Sequence, residues 1–147
     1  MNDLKSKVLY YLAKRDYSYK ELLQKLQKHS QNIKEITNLL DECVQKGWLC
    51  EERYIINYIQ SKSKKYSLLK IKNELQQKTN NTQLIEEILA KSQIDEYQIA
   101  LSIWQKKFKV IAVDAKDRAK QARFLQSRGF SLSTIKKILN NTDNEYE

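Results

Sequence analysis

Four apolar positions, the later three lying ten, thirteen and fourteen residues after the first, occur three times in this chain. They are Leu26, Ile36, Leu39 and Leu40, then Leu75, Ile85, Ile88 and Leu89, then Leu125, Ile135, Ile138 and Leu139. Successive copies lie about fifty residues apart, a period that points to a tandem array of one supersecondary unit rather than one continuous domain. The unit itself is helical. Proline is absent and only two of the 147 residues are glycine. Tight hairpins and phosphate-cradling loops lean on glycine for positive φ, so the composition argues against a mostly β fold and against a glycine-rich nucleotide site.

Cap signals divide each copy into three helices. In the first, Val8–Ala13 is a short apolar segment. "DYSYKELLQKL" then sets Ser18 three residues before Glu21, a capping box in front of Leu22, Leu23 and Leu26. A third helix over about Ile33–Lys46 ends at Gly47, a residue suited to a left-handed C′ position. The second copy has the stripe Tyr54, Ile55, Tyr58 and Ile59, then Ser67 where Ser18 stood, then Thr82 as the cap of its last helix. In the third, Ile99, Ile103, Trp104 and Phe108 are core candidates. Asp117 takes the place of the capping serine, and Ser131 with Thr134 opens a helix running to about Asn140.

The expected fold is all-α: three tandem three-helix repeats forming an elongated, curved solenoid, because fifty-residue bundles gain stability by stacking on neighbours. The expected bounds are 1–49, 50–94 and 95–140, with 141–147 as a polar tail.

Charge is unevenly placed. The net charge is +9, yet residues 105–137 alone hold ten basic and two acidic side chains, and 53–73 hold six basic and none acidic. Such stripes suit a polyanionic partner, nucleic acid or an acidic protein face, although lysine also simply keeps helices soluble. Arg118, Arg123 and Arg128, five residues apart on one helix, are candidates for contacts to phosphates or carboxylates. Tyr17 and Tyr66, just ahead of caps, read as hydrophobic staples, and Tyr10, Tyr11 and Tyr58 as core.

Catalytic chemistry finds no foothold. Cys43 and Cys50 are the only cysteines and His29 the sole histidine, so no metal site is expected and the cysteines read as reduced structural residues. Acidic pairs such as Glu51–Glu52 and Glu86–Glu87 are sequence neighbours, which do not face each other on a helix. No catalytic residue and no cofactor is expected. The apolar run near the N-terminus is too short for a membrane span or a secretory signal.

Three motifs carry a family resemblance. "RDYSYKELLQKL" (Arg15, Tyr17, Ser18, Glu21, Leu22), "KGWLCEERYIINYI" (Gly47, Leu49, Glu52, Arg53, Tyr54) and "RFLQSRGFSLSTIKKIL" (Phe124, Leu125, Arg128, Gly129, Phe130, Ser131) resemble, in this order, motifs of the RecX-type regulatory proteins. The likeness runs from about Val8 to Leu139. Two departures stand out. Thr79 follows Lys78 where the family pattern has glycine, and Cys50-Glu51-Glu52 replaces an acidic pair.

The resemblance implies a cytoplasmic, non-catalytic regulator that binds filaments of the RecA recombinase on single-stranded DNA. It would lower their ATP hydrolysis and strand exchange, and so restrain homologous recombination, DNA repair and the SOS response. A monomer is expected. The contacts would come from basic residues: Arg15, Arg53, Lys64, Lys65 and Lys72 in the first two repeats; Lys106, Lys107, Lys109, Arg118, Lys120, Arg123 and Arg128 in the third. Tyr17, Ser18, Glu21, Leu22, Gly47, Tyr54, Phe124, Leu125, Gly129 and Phe130 would be structural. Two alternatives stay open: a basic module acting directly on DNA, and an adaptor for an acidic protein.

Overall fold

The structure is a computed structural model that describes residues 3–144, with side chains through residue 140. Among the described residues every regular element is an α-helix. In chain order they are α1 (Asp3–Lys14), α2 (Tyr19–Gln27), α3 (Ile33–Gln45), α4 (Glu51–Lys62), α5 (Leu68–Lys78), α6 (Thr82–Lys91), α7 (Glu96–Lys107), α8 (Ala115–Ser127) and α9 (Leu132–Asn144). This is the all-α, helix-helix-helix pattern expected three times over.

The repeated leucine explains why. Leu26 on α2, Leu75 on α5 and Leu125 on α8 are all 0% exposed. Each sits near the C-terminal end of the middle helix of its set, and in the first and third sets the following helix packs on that middle helix. Ile36, Leu40, Ile85, Ile135, Ile138 and Leu139 are buried as well. Leu39 packs against the first core, while Ile88 and Leu89 are only half-buried.

The chain divides into two compact units. One comprises Met1–Tyr58 with Glu74–Ile88, the other Ile59–Asn73 with Leu89–Glu147. In the first, α2 packs on α1 and α3 around Leu4, Val8, Leu22, Leu26, Ile36 and Leu40. In the second, α7, α8 and α9 pack on one another around Ile103, Trp104, Leu125, Phe130 and Ile138. Burying a leucine or isoleucine contributes roughly 1.5–3 kcal/mol, so these two clusters are the chief source of stability. One polar group enters the second core with its needs met: the Trp104 indole N–H donates to Gln121 Oε1 at 2.9 Å.

The caps follow the sequence with two corrections. Ser18 and Glu21 form the full capping box, Ser67 Oγ accepts from the Lys70 N–H at 3.2 Å, and Ser131 Oγ accepts from the Thr134 N–H at 3.2 Å. Gly47 is left-handed, with φ +77°. However, α8 is capped by Asp114, whose Oδ1 accepts the Asp117 N–H at 2.8 Å, so Asp117 is the recipient rather than the cap. Likewise Asn81 Oδ1 caps α6 through the Leu84 N–H at 3.2 Å, and Thr82 stands inside the first turn. In both cases an Asx side chain lies just upstream of the residue expected to cap, and its short acceptor reaches the free N–H groups first.

Three further expectations shift. Helix α1 starts at Asp3, well before Val8, and α9 continues to Asn144 because neither glycine nor proline stops it at Asn140. The expected polar tail is therefore helical over 141–144, and 145–147 lie outside the described residues. Tyr10, expected in the core, is 57% exposed.

Candidate nucleic-acid interface

The second unit builds its most basic feature from two parts of the chain that are remote in sequence. After α4 the chain turns at Ser63–Tyr66, with the Lys65 and Tyr66 N–H groups both bonded back to the Lys62 carbonyl. Ser67 then fastens this turn to the end of α8. Its backbone N–H donates to the Arg128 carbonyl at 2.9 Å and its hydroxyl to the Gly129 carbonyl at 2.8 Å. Gly129 makes this approach possible. It is left-handed at φ +98°, and a Cβ there would lie 2.4 Å from Ser67 Oγ. Lys70 adds a bond from Nζ to the Ser127 carbonyl at 3.2 Å.

Docking the turn on α8 forms an open groove of about 440 Å³. Lys64, Lys65 and Tyr66 line one side; Lys106 and Lys107, from the last turn of α7, line another; Ile103, Phe124 and Arg128 complete it. Five of its eight lining residues are cationic and none is acidic, which gives the groove a field suited to a polyanion. None of the four lysines is ion-paired among the described residues.

The aromatic residues hold Arg128 in place. Its guanidinium carbon lies 5.4 Å over the Tyr66 ring and 4.9 Å over the Phe124 ring. Phe124 is itself braced edge-on by Phe108, with centroids 5.3 Å apart. Lys107 and Lys70 also stand over Phe124 and Tyr66, at 5.7 and 4.7 Å.

Five of the twelve contact candidates therefore converge here: Lys64, Lys65, Lys106, Lys107 and Arg128. Arg118 instead donates to Asn140 Oδ1 on α9, and Lys120 and Arg123 lie exposed elsewhere on α8. Lys109 is exposed in the segment after α7, with a left-handed φ of +65°, and Lys72 is half-buried on α5.

Arg15 and Arg53, both in the first unit, are engaged internally. Arg15 lies 3.6 Å over the Tyr17 ring and 3.2 Å from Glu21 Oε2. Burial works to raise the Glu21 carboxyl, but Arg15, the Ser18 N–H and Tyr54 together hold it below the usual range. Burial, reinforced by the Glu21 charge, pushes the Tyr54 hydroxyl far up. Arg53 Nε bonds Asp16 at 2.7 Å while Nη2 reaches the Gly47 and Trp48 carbonyls at 3.3 and 3.2 Å. The motif residues Tyr17, Ser18, Leu22, Tyr54, Leu125 and Phe130 are all buried.

Tyr66 and Phe124 are the groove residues that sequence reasoning placed elsewhere, one as a staple and the other as a structural motif residue. The adjacency Lys65–Tyr66 was the signal available. Cys43 is buried and Cys50 half-buried, and the described residues contain no cluster of three or more metal-ligating side chains. No described helix is long and apolar enough to cross a membrane.

Comparison with known proteins agrees with this architecture. The family description "RecX, third three-helix domain" matches residues 94–139. The Regulatory protein RecX of Leptothrix cholodnii is 32% identical over 144 residues, covering 98% of this chain and 92% of that protein. That of Neisseria meningitidis serogroup C is 34% identical over 136 residues, covering 92% and 88%. The crystal structure of RecX from Lactobacillus salivarius superposes with a TM-score of 0.76 at 18% identity, covering 98% of this chain and 99% of that one. With a third of its residues identical across nearly the whole length of such relatives, this chain belongs to the RecX family of regulatory proteins.

Proposed function

We propose that this protein binds RecA filaments on single-stranded DNA and modulates them, mainly by inhibiting ATP hydrolysis and strand exchange. It would act in the cytoplasm, as a monomer, and without turnover of its own. Family membership supports the regulatory role. The observation that carries the mode of action is the acid-free groove at Lys64, Lys65, Lys106, Lys107 and Arg128. A regulator of a protein–DNA filament needs a surface that tolerates dense negative charge, and this groove provides one.

The test is RecA-catalysed ATP hydrolysis on single-stranded DNA with and without the protein. Hydrolysis should fall as the protein is titrated in, and an unchanged rate at large molar excess overturns the proposal. A second reading, a module acting on DNA without RecA, is favoured by the same groove. It requires affinity for bare DNA that drops steeply between about 50 and 200 mM salt, as counterion release dictates.

A further inference from the structure

We propose that the groove of the second unit is a phosphate-backbone site for nucleic acid in which Arg128 is the fixed reading fork and the four lysines are the surrounding counter-charges. The inference deepens the filament-binding reading and rests on it for its biological setting, though not for its physics.

The argument begins with Arg128. Arginine ordinarily loses several rotatable bonds' worth of freedom when it grips a ligand, and that loss weakens binding. Here most of it is lost on folding. The side chain leaves the C-cap position of α8, lies against both Tyr66 and Phe124, and donates from Nη1 to the Lys65 carbonyl at 3.4 Å. Among the described residues its remaining N–H groups have no acceptor, although the guanidinium is only partly exposed. A planar cation, oriented by two rings and with donors to spare, calls for a ligand that offers paired oxygens.

Both carboxylates and phosphodiesters offer paired oxygens, and the lysines favour the second. Lys64, Lys65, Lys106 and Lys107 are all exposed and arrive from two separate elements, with no acidic side chain among the groove's lining. Lysine acts as a hydrated point charge that tolerates any oxygen nearby, which suits an evenly charged backbone better than the mixed, directional face of an acidic protein. The lining offers no Asn, Gln, Asp or Glu for reading base edges, and Arg128 is assigned to the backbone, so binding should depend little on base sequence.

The test uses the full chain and a labelled oligothymidylate in fluorescence anisotropy, with no RecA present. Arg128→Ala and Arg128→Lys should both weaken binding at least about tenfold, because a charge-assisted fork is lost in each. Lys106→Gln with Lys107→Gln should lower the slope of log affinity against log salt by about 1.4, two phosphates' worth on a single strand. Three results would overturn the site: wild-type affinity in Arg128→Lys, an unchanged salt slope in the lysine pair, or equal wild-type affinity for polyglutamate of matched length.

Far-ultraviolet circular dichroism accompanies each variant. Should the Arg128 variants lose helicity, the lysine pair decides alone, since its side chains are exposed. The two proposals also fail separately. Groove variants that lose oligonucleotide binding yet inhibit RecA normally sink the role of the groove in regulation, whereas variants that bind normally and no longer inhibit sink the phosphate site.

Discussion

The chain uses one device twice, and the two copies are closed differently. In the first unit Ser18 caps α2 and donates its hydroxyl proton to the Lys78 carbonyl at the end of α5, at 2.6 Å. In the second unit Ser67 caps α5 and donates to the Gly129 carbonyl at the end of α8, at 2.8 Å. Each serine thus does two jobs, accepting from its own helix and donating to a later one. Behind that shared bond the surroundings differ. The first joint is closed by side chains: buried Thr79 donates to Glu51, Glu51 also accepts the Tyr19 N–H, and Glu21 answers Ser18. The second is closed by backbone, with the Ser67 N–H on the Arg128 carbonyl and glycine allowing close approach. Thr79 occupies the place, fifty residues earlier, that Gly129 fills in the second joint, which accounts for the departure from the family pattern at that position. One joint is chemically reinforced by a carboxylate and the other sterically by an absent side chain.

The sharpest way to break the second joint follows from that difference. Gly129→Ala forces a side chain into a left-handed backbone and places its Cβ 2.9 Å from Lys70 Cβ as well as against Ser67 Oγ. Strain and overlap together should cost about 2–4 kcal/mol, read as a lower urea midpoint. Gly47→Ala is the control. Its φ is +77°, but nothing lies within 4 Å of the added carbon, so only about 1 kcal/mol should be lost. Equal losses would mean that close approach at Gly129 contributes nothing. Adding Ser67→Ala to Gly129→Ala removes one of the two clashes, so the double variant should lose less than the sum of the singles.

A smaller effect separates capping from donation. Ser67→Ala should cost about 1–3 kcal/mol, since a cap and a bond to a half-buried carbonyl go together. Ser67→Asp retains an excellent cap, but a carboxylate cannot donate and would face the Gly129 oxygen. It should therefore be at least as damaging as alanine. The third helix set makes the same point. Its middle helix opens with Asp114, which serves its own helix through the Asp117 N–H and, as a carboxylate, has no hydroxyl proton to donate to another. Recovery of stability in Ser67→Asp would show that the donated bond is dispensable.

The sequence carried much of this, for reasons of range. The leucine register and the Ser18–Glu21 box are properties of neighbours three to fourteen residues apart, and helical periodicity exposes them directly. Gly47 was legible because few residues tolerate positive φ. The groove was not legible, because Lys65 lies in the turn after α4 and Lys106 on α7, and their closeness depends on the docking of Ser67. Arg53 read as a free cation for the same reason: Asp16 stands 37 residues before it, and no local pattern pairs them. Arg15 read as one because Glu21, six residues on, lies across the cap that separates α1 from α2, outside any single-helix spacing. Charge stripes located the right stretches, and folding decided which members of each stripe face outward together.

The gentlest probe of the comparison is pH. Glu21 belongs to the first joint alone, while position three of the Ser67 cap is Lys70, so acid should act on one joint and spare the other. The Glu21 carboxyl is held below its ordinary value of 4.5, chiefly because Arg15 and the Ser18 N–H outweigh the effect of burial. A depressed folded value means that the stabilisation is complete above the unfolded value and is lost as pH falls through the folded one. The Arg15 partner is 48% exposed, so screening limits the contribution to about 1 kcal/mol or less. Urea midpoints of wild type and Glu21→Gln, compared from pH 7 down to pH 3, should start apart and draw together below about pH 4.5. A gap that stays constant across that range would show that the carboxylate charge contributes nothing to the first joint, leaving its neutral hydrogen bonds to close it as the second joint is closed.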